Sequence, residues 1–119
     1  MAKSANGAEI DRQAVIRDVV QRLVDYYHPL RIYLFGSEAR GEARLDSDLD
    51  FLVVLPDEAP RESWLDGGVY ARLRHLPLAI DVLTERSTNF ERTRTWRMSI
   101  PAIALREGQV IYDAAPHAP

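Results

Sequence analysis

Apolar and polar residues alternate along this chain with two different periods, which together predict a mixed α/β domain. Between residues 11 and 27, apolar residues recur at three- and four-residue spacing with charges on the opposite side, which predicts an amphipathic helix. Asp11 is the candidate N-cap, and His28-Pro29 is expected to end the helix. The apolar face of this helix consists of Val15, Ile16, Val19, Val20, Leu23 and Val24.

Four short apolar runs predict strands, and the segments between them predict further helices. The strands are expected over residues 31–35, 49–55, 78–84 and 109–112. Helices are expected over 63–75, where Gly67-Gly68 can split the helix, over 88–96, and from the candidate cap Ser99 to Arg106. We therefore expect an α/β fold in which a small mixed β-sheet is backed by helices on one side.

The composition is that of one ordinary globular domain. The chain has 119 residues, 46% of them hydrophobic and 28% charged. We expect a single domain over residues 10–113, preceded by a disordered leader (1–9) and followed by a disordered tail (114–119).

Charge and cysteine content narrow the possible functions. The formal net charge of −3 argues against general nucleic-acid coating, so no direct nucleic-acid binding is expected. The absence of cysteine excludes disulfides and thiolate chemistry, and it fits a reducing, cytoplasmic location. No apolar run approaches the roughly 18 to 20 residues of a membrane span, so no membrane association is expected.

Candidate chemistry is concentrated between the first two strands. Gly36-Ser37 follows the first strand, and Asp48-Leu49-Asp50 opens the second. Alternate strand residues point to one face, so Asp48 and Asp50 should project together, with Cα atoms about 6 to 7 Å apart. Neighbouring carboxylates repel each other unless a cation lies between them, and such oxygen ligands suit Mg²⁺.

Two simpler interpretations compete with this chemistry. Asp48 can be an ordinary turn residue and Asp50 the partner of an arginine, although an unpaired carboxylate inside an apolar strand is costly. Ser37 can be the N-cap of a short helix predicted over residues 37–43. That role is compatible with phosphate binding, because glycine lets a phosphate approach the backbone and a helix N-terminus presents N–H groups.

Gly36-Ser37 and Asp48-Leu49-Asp50, with Asp81 on the third predicted strand, resemble the signature of the DNA polymerase β-like nucleotidyltransferase superfamily. More narrowly, they resemble minimal nucleotidyltransferases, the MNT-type antitoxins found beside HEPN-domain toxins. The resemblance extends from about residue 30 to Tyr112. It implies the polymerase β-like palm fold and Mg²⁺-dependent transfer of a nucleoside monophosphate from ATP or another NTP.

The resemblance also implies roles for individual residues. Two Mg²⁺ ions are expected with the nucleotide, on three residues that are both catalytic and metal-binding: Asp48, Asp50 and Asp81. The implied nucleotide-binding residues are Gly36, Ser37 and Arg40. The role of Arg44 stays open, as does that of the basic segment 86–97. This segment can be a partner or nucleic-acid surface, or a charged helix face whose aromatic residues anchor in the core.

Larger relatives carry further domains for the acceptor, so the acceptor site is expected to come from a partner or a second copy. The resemblance implies AMP transfer to a tyrosine of a HEPN-type toxin, with this chain as the antitoxin. Two alternatives remain: a stand-alone small-molecule nucleotidyltransferase working as a homo-oligomer, and a non-catalytic module that neutralises a toxin by covering it.

Overall fold

The computed structural model describes residues 10–41, 47–65 and 67–114. The predicted leader (1–9) and all but the first residue of the predicted tail lie outside the described residues. In the part of the chain that is described, no helix is both long and apolar enough to cross a membrane.

A four-stranded mixed sheet organises the described residues, as the sequence predicted. The strands are β1 (Arg31–Phe35), β2 (Leu49–Leu55), β3 (Ile80–Arg86) and β4 (Gln109–Asp113). Their order is β3-β2-β1-β4, with β1 antiparallel to both β2 and β4, and β2 parallel to β3. Six of the seven residues of β2 are apolar, and the exception is Asp50. Such a nearly continuous apolar run is typical of a strand that is covered on both faces.

Helix α1 (Arg12–Tyr27) packs on one face of this sheet together with the short helices α2 (Glu62–Leu65) and α3 (Gly68–Arg72). The predicted cap is confirmed, because the backbone N–H of Ala14 donates to Asp11 Oδ1 at 3.2 Å. The predicted split is also confirmed, since α2 and α3 are separate helices on either side of Gly67.

Helices α4 (Ser87–Thr93) and α5 (Ile100–Glu107) cover part of the opposite face, where no helix was expected. The fully buried ring of Phe90 stacks on Tyr33 with centroids 5.4 Å apart, and it shares a core cluster with Leu52 and Ala104. The prediction of helices on one side was therefore incomplete, because Leu52 and Val54 of β2 also need an apolar cover. The predicted Ser99 cap is confirmed by a hydrogen bond from the N–H of Ala102 to its hydroxyl, at 3.1 Å.

Candidate active site

Asp50 and Asp81 lie side by side at one end of the sheet. They occupy the same register position of the parallel strands β2 and β3. Phe35, the last residue of β1, stands opposite Asp50 on its other side. A pocket of about 270 Å³ opens over the two carboxylates, lined also by Phe35, Tyr70, Val82 and Leu83.

The two carboxylates are electrostatically coupled. Burial is the main cause that raises the pKa of Asp50 above its usual range, and the negative charges of Asp81 and Asp48 add to it. A hydrogen bond with Asp81 raises the pKa of Asp50 further, whereas the positive charge of Arg40 opposes the shift. Asp50 is thus a half-buried carboxyl whose negative charge is poorly compensated by the protein.

Asp48 lies outside the paired strands that hold Asp50 and Asp81. It directly precedes β2 and is exposed, and its charge acts on Asp50. Within the described ranges, no three His, Asp or Glu side chains are already gathered to hold a metal ion. The donor chemistry nevertheless fits Mg²⁺, because hard carboxylate oxygens face one another and a cation would relieve the repulsion that raises the pKa of Asp50.

Gly36 directly follows β1 and lies against the Asp50 carboxylate. Its φ is +80°, which L-residues other than glycine rarely adopt. A Cβ atom built on Gly36 would lie 2.3 Å from Asp50 Oδ2. The Asp50 carboxylate therefore occupies the space that any side chain at position 36 would need.

Residues 36–41 form consecutive turns instead of the start of the predicted helix over 37–43. The N–H of Arg40 donates to the carbonyl oxygen of Gly36 at 3.1 Å, and the N–H of Gly41 donates to that of Glu38 at 3.2 Å. Gly41 has a φ of +74°, which is incompatible with a continuing right-handed helix. The rest of that predicted helix and Arg44 lie outside the described residues.

Two ion pairs tie this turn to helices on both sides of the sheet. Glu38 accepts from Arg12 Nε of α1 at 2.7 Å. Arg40 Nη1 lies 3.4 Å from Glu107 Oε1 at the end of α5. Glu107 is thus a partner of Arg40 that sequence reasoning missed, since no sequence signal links positions 67 residues apart.

Ser37, predicted to bind phosphate, is half-buried in this turn, directly after Gly36. The structure therefore places Gly36, Ser37 and Arg40 within one turn, beside Asp50. Their assignment to nucleotide binding stays a prediction.

The basic segment 86–97 combines a core anchor with a surface. Phe90 is fully buried, whereas Trp96 is 53% exposed and carries the guanidinium of Arg92 above its ring at 5.0 Å. Arg94 pairs with Glu91 at 2.9 Å. Phe90 fits the core-anchor interpretation, and the exposed Trp96 does not.

Tyr70 and Leu83 line the pocket, and sequence reasoning gave neither a role there. Tyr70 is 47% exposed and lies at the edge of β3. Leu83 follows Asp81 by two residues and therefore faces the same side of the sheet. The alternation Asp81-Val82-Leu83 was the one signal that could have placed Leu83 beside the carboxylate.

Comparisons with known proteins agree with this geometry. A family model described as a nucleotidyltransferase domain matches residues 15–111. The comparison with curated proteins gives no match.

Two solved structures share the fold. A Sulfolobus solfataricus protein classed as a nucleotidyltransferase is 18% identical, with a TM-score of 0.52 over 87% of this chain and 81% of that one. A chain from a toxin–antitoxin structure determined with AMP-PNP is 21% identical, with a TM-score of 0.50 over 81% of this chain and 72% of that one. The family match covers most of the sequence and includes Gly36, Asp50 and Asp81, and the chain therefore belongs to the nucleotidyltransferase domain family.

Proposed function

We propose that this chain transfers AMP from ATP to a hydroxyl of a partner protein, a tyrosine of a HEPN-type toxin, and thereby acts as its antitoxin. The observation that carries this proposal is the pairing of Asp50 with Asp81 in one pocket, with Gly36 directly against the Asp50 carboxylate. Acidic side chains on one side and a glycine turn on the other suit a triphosphate with its metal ions.

The proposed metal ligands are Asp48, Asp50 and Asp81, and two Mg²⁺ ions are expected with the nucleotide. When bound, the ions would neutralise the triphosphate and lower the pKa of the attacking hydroxyl. Asp50 belongs between the other two carboxylates, since the charges of both already act on it.

Asp81 is the residue suited to the acceptor side. It is exposed on the edge strand β3, whereas Asp50 lies one strand further into the sheet. In the proposed reaction, Asp81 takes the proton of the acceptor hydroxyl. The acceptor oxygen forms a bond to the α-phosphorus, and the bond from that phosphorus to pyrophosphate breaks.

The turn after β1 is suited to the phosphates. Gly36 keeps the backbone free of a side chain, and the Ser37 hydroxyl and neighbouring N–H groups are potential donors. Arg40 lies close enough for its charge to act on Asp50, and it would bind the triphosphate once it leaves Glu107.

Support for the nucleotide and the partner comes from the similar toxin–antitoxin structure with AMP-PNP. The test is to incubate the chain with a HEPN-type toxin, together with ATP and Mg²⁺, and to measure the mass of the toxin by mass spectrometry. We expect its mass to increase by one AMP moiety and its RNA cleavage to stop.

Asp50→Asn should abolish the modification. Asp57→Asn is the matched control, because Asp57 contacts Thr88 and is not a pocket residue. If the partner stays unmodified yet is neutralised equally by the wild type and by Asp50→Asn, the chain is a non-catalytic binding module. If nucleotide is transferred only to small molecules, the chain is a stand-alone small-molecule nucleotidyltransferase.

A further inference from the structure

Tyr70 lies against the open edge of β3, next to the paired carboxylates. The backbone N–H of Val82 donates to the Tyr70 hydroxyl at 3.1 Å. The same hydroxyl donates to the carbonyl oxygen of Val82 at 3.4 Å. One side chain thus engages both peptide groups that Val82 turns away from β2, which a hydroxyl can do because it is donor and acceptor at once.

This contact occurs where β3 most needs support. Among the described residues, β3 is an edge strand whose one side pairs with β2, and its outward peptide groups have no strand partner there. Val82 directly follows Asp81, which lies in register with Asp50 on the neighbouring strand. A movement of the strand at Val82 would carry Asp81 away from Asp50.

Helix α3 provides the anchor for this contact. Val69, the residue before Tyr70, is 2% exposed and belongs to the core cluster beneath α1. The Tyr70 ring itself remains partly exposed and lines the same pocket as Asp50, Asp81 and Leu83. Tyr70 therefore connects the core to the backbone that carries Asp81.

We propose that Tyr70 is a positioning residue of the transfer site: its hydroxyl holds the Val82 peptide groups and so keeps Asp81 in register with Asp50. This inference rests on the proposed function for its catalytic consequence, but the contact itself can be tested without any reaction. The informative variant is Tyr70→Phe, which keeps the ring in the pocket and removes only the hydroxyl.

The first measurement is amide hydrogen exchange at Val82 in the whole chain. Tyr70→Phe should accelerate exchange of the Val82 amide by about tenfold, since that amide loses its acceptor. Tyr33→Phe is the matched control. It removes a hydroxyl that accepts from Arg31 Nη1 at 2.7 Å, but it leaves the edge of β3 unchanged.

The second measurement is transfer kinetics with Mg²⁺-ATP and the HEPN-type partner. In Tyr70→Phe we expect kcat to fall between about tenfold and a hundredfold, because misplacing a reacting group costs rate. Affinity for Mg²⁺-AMP-PNP, measured by calorimetry, should stay within about twofold, as the Gly36 turn is untouched. Tyr33→Phe should leave both values unchanged.

Unchanged Val82 exchange in Tyr70→Phe would overturn the inference. So would faster exchange with an unchanged kcat, since the contact would then be only structural. Failure of the proposed function looks different. In that case the wild type transfers nothing, or Asp50→Asn is as active as the wild type, whereas Val82 exchange still decides whether Tyr70 holds the strand.

Discussion

Asp50 and Asp81 occupy one register position of two parallel strands, and the proximity of Asp81 helps to raise the pKa of Asp50. The folded protein therefore binds a proton at Asp50 more tightly than the unfolded chain does. This contribution to stability is fully present below the usual aspartate pKa of about 3.9, and it is lost as the pH rises through the raised pKa of the folded state.

Replacing this carboxylate should stabilise the metal-free protein. We expect Asp50→Asn to raise the Tm by a few degrees at pH 7 in EDTA, because the charge that burial and Asp81 disfavour is gone. The gain should shrink as the pH is lowered through the raised pKa of Asp50, because the wild-type carboxyl then becomes protonated. Thermal denaturation over a pH series measures both effects.

Asp57 provides a control, because its pKa is shifted in the opposite direction from that of Asp50. Hydrogen bonds from the Thr88 side chain and backbone lower the pKa of Asp57. Its contribution to stability is therefore present above the usual aspartate pKa and is lost as the pH falls through its lowered value. Asp57→Asn should destabilise the protein at pH 7 and lose its effect in acid. A Tm gain in both variants would contradict the role assigned to Asp50.

Gly36→Ala should damage the site more than the fold. The positive φ costs an alanine about 1 to 2 kcal/mol, and its Cβ would also displace the Asp50 carboxylate. Gly41→Ala is the matched control, because its φ is also positive but its Cβ would meet no atom of the described residues within 4 Å. We expect similar losses of unfolding free energy in urea. Loss of Mg²⁺-AMP-PNP binding should occur only in Gly36→Ala, and equal binding in both variants would place the phosphates elsewhere.

The ion pair between Arg40 and Glu107 separates stability from nucleotide binding. The two side chains are 42% and 40% exposed, so Glu107→Gln should change the unfolding free energy by less than about 1 kcal/mol. If Arg40 binds the triphosphate, Glu107→Gln should maintain or increase nucleotide affinity, whereas Arg40→Ala should weaken it. Calorimetry at two salt concentrations tests this, and equal losses in both variants would mean that the pair only orders the turn.

Asp81→Asn should separate chemistry from binding. As the proposed base on the acceptor side, Asp81 is expected to contribute about a hundredfold or more to the rate. Nucleotide affinity should survive in large part through Asp48 and Asp50. Single-turnover transfer and calorimetry on the same variant measure the two quantities. Complete loss of nucleotide binding would contradict this division of roles.

The elements of this fold with strong periodicity were predictable from the sequence. Helix α1 with its Asp11 cap, strand β1, strand β2 and the Ser99 cap of α5 all follow local rules of patterning and capping. Strand β3 begins and ends two residues later than predicted. Its polar C-terminal end pairs with β2, although the sequence there lacks the alternation typical of a strand. The family resemblance was confirmed by the match over residues 15–111.

Contacts between distant segments could not be predicted from the sequence. The described part of the short helix predicted over residues 37–43 forms turns, because the positive φ of Gly41 prevents a right-handed helix from continuing. The pairing of Arg40 with Glu107 and the contact of Tyr70 with Val82 join segments whose proximity only the folded chain defines. The assigned roles of Asp48, Asp50 and Asp81 remain predictions.

The pairing of β1 with β4 has a consequence for how this protein is made. It joins Arg31 to Asp113 and Leu34 to Gln109, and the N–H of Ala114 donates to the carbonyl oxygen of Leu30 at 2.9 Å. During synthesis, β1 and β2 leave the ribosome long before β4, so one side of β1 stays unpaired until residues 109–113 have emerged. A chain cut after Gly108 would lose a strand of the sheet, and it would expose the edge of β1 to proteases and to pairing with other nascent chains.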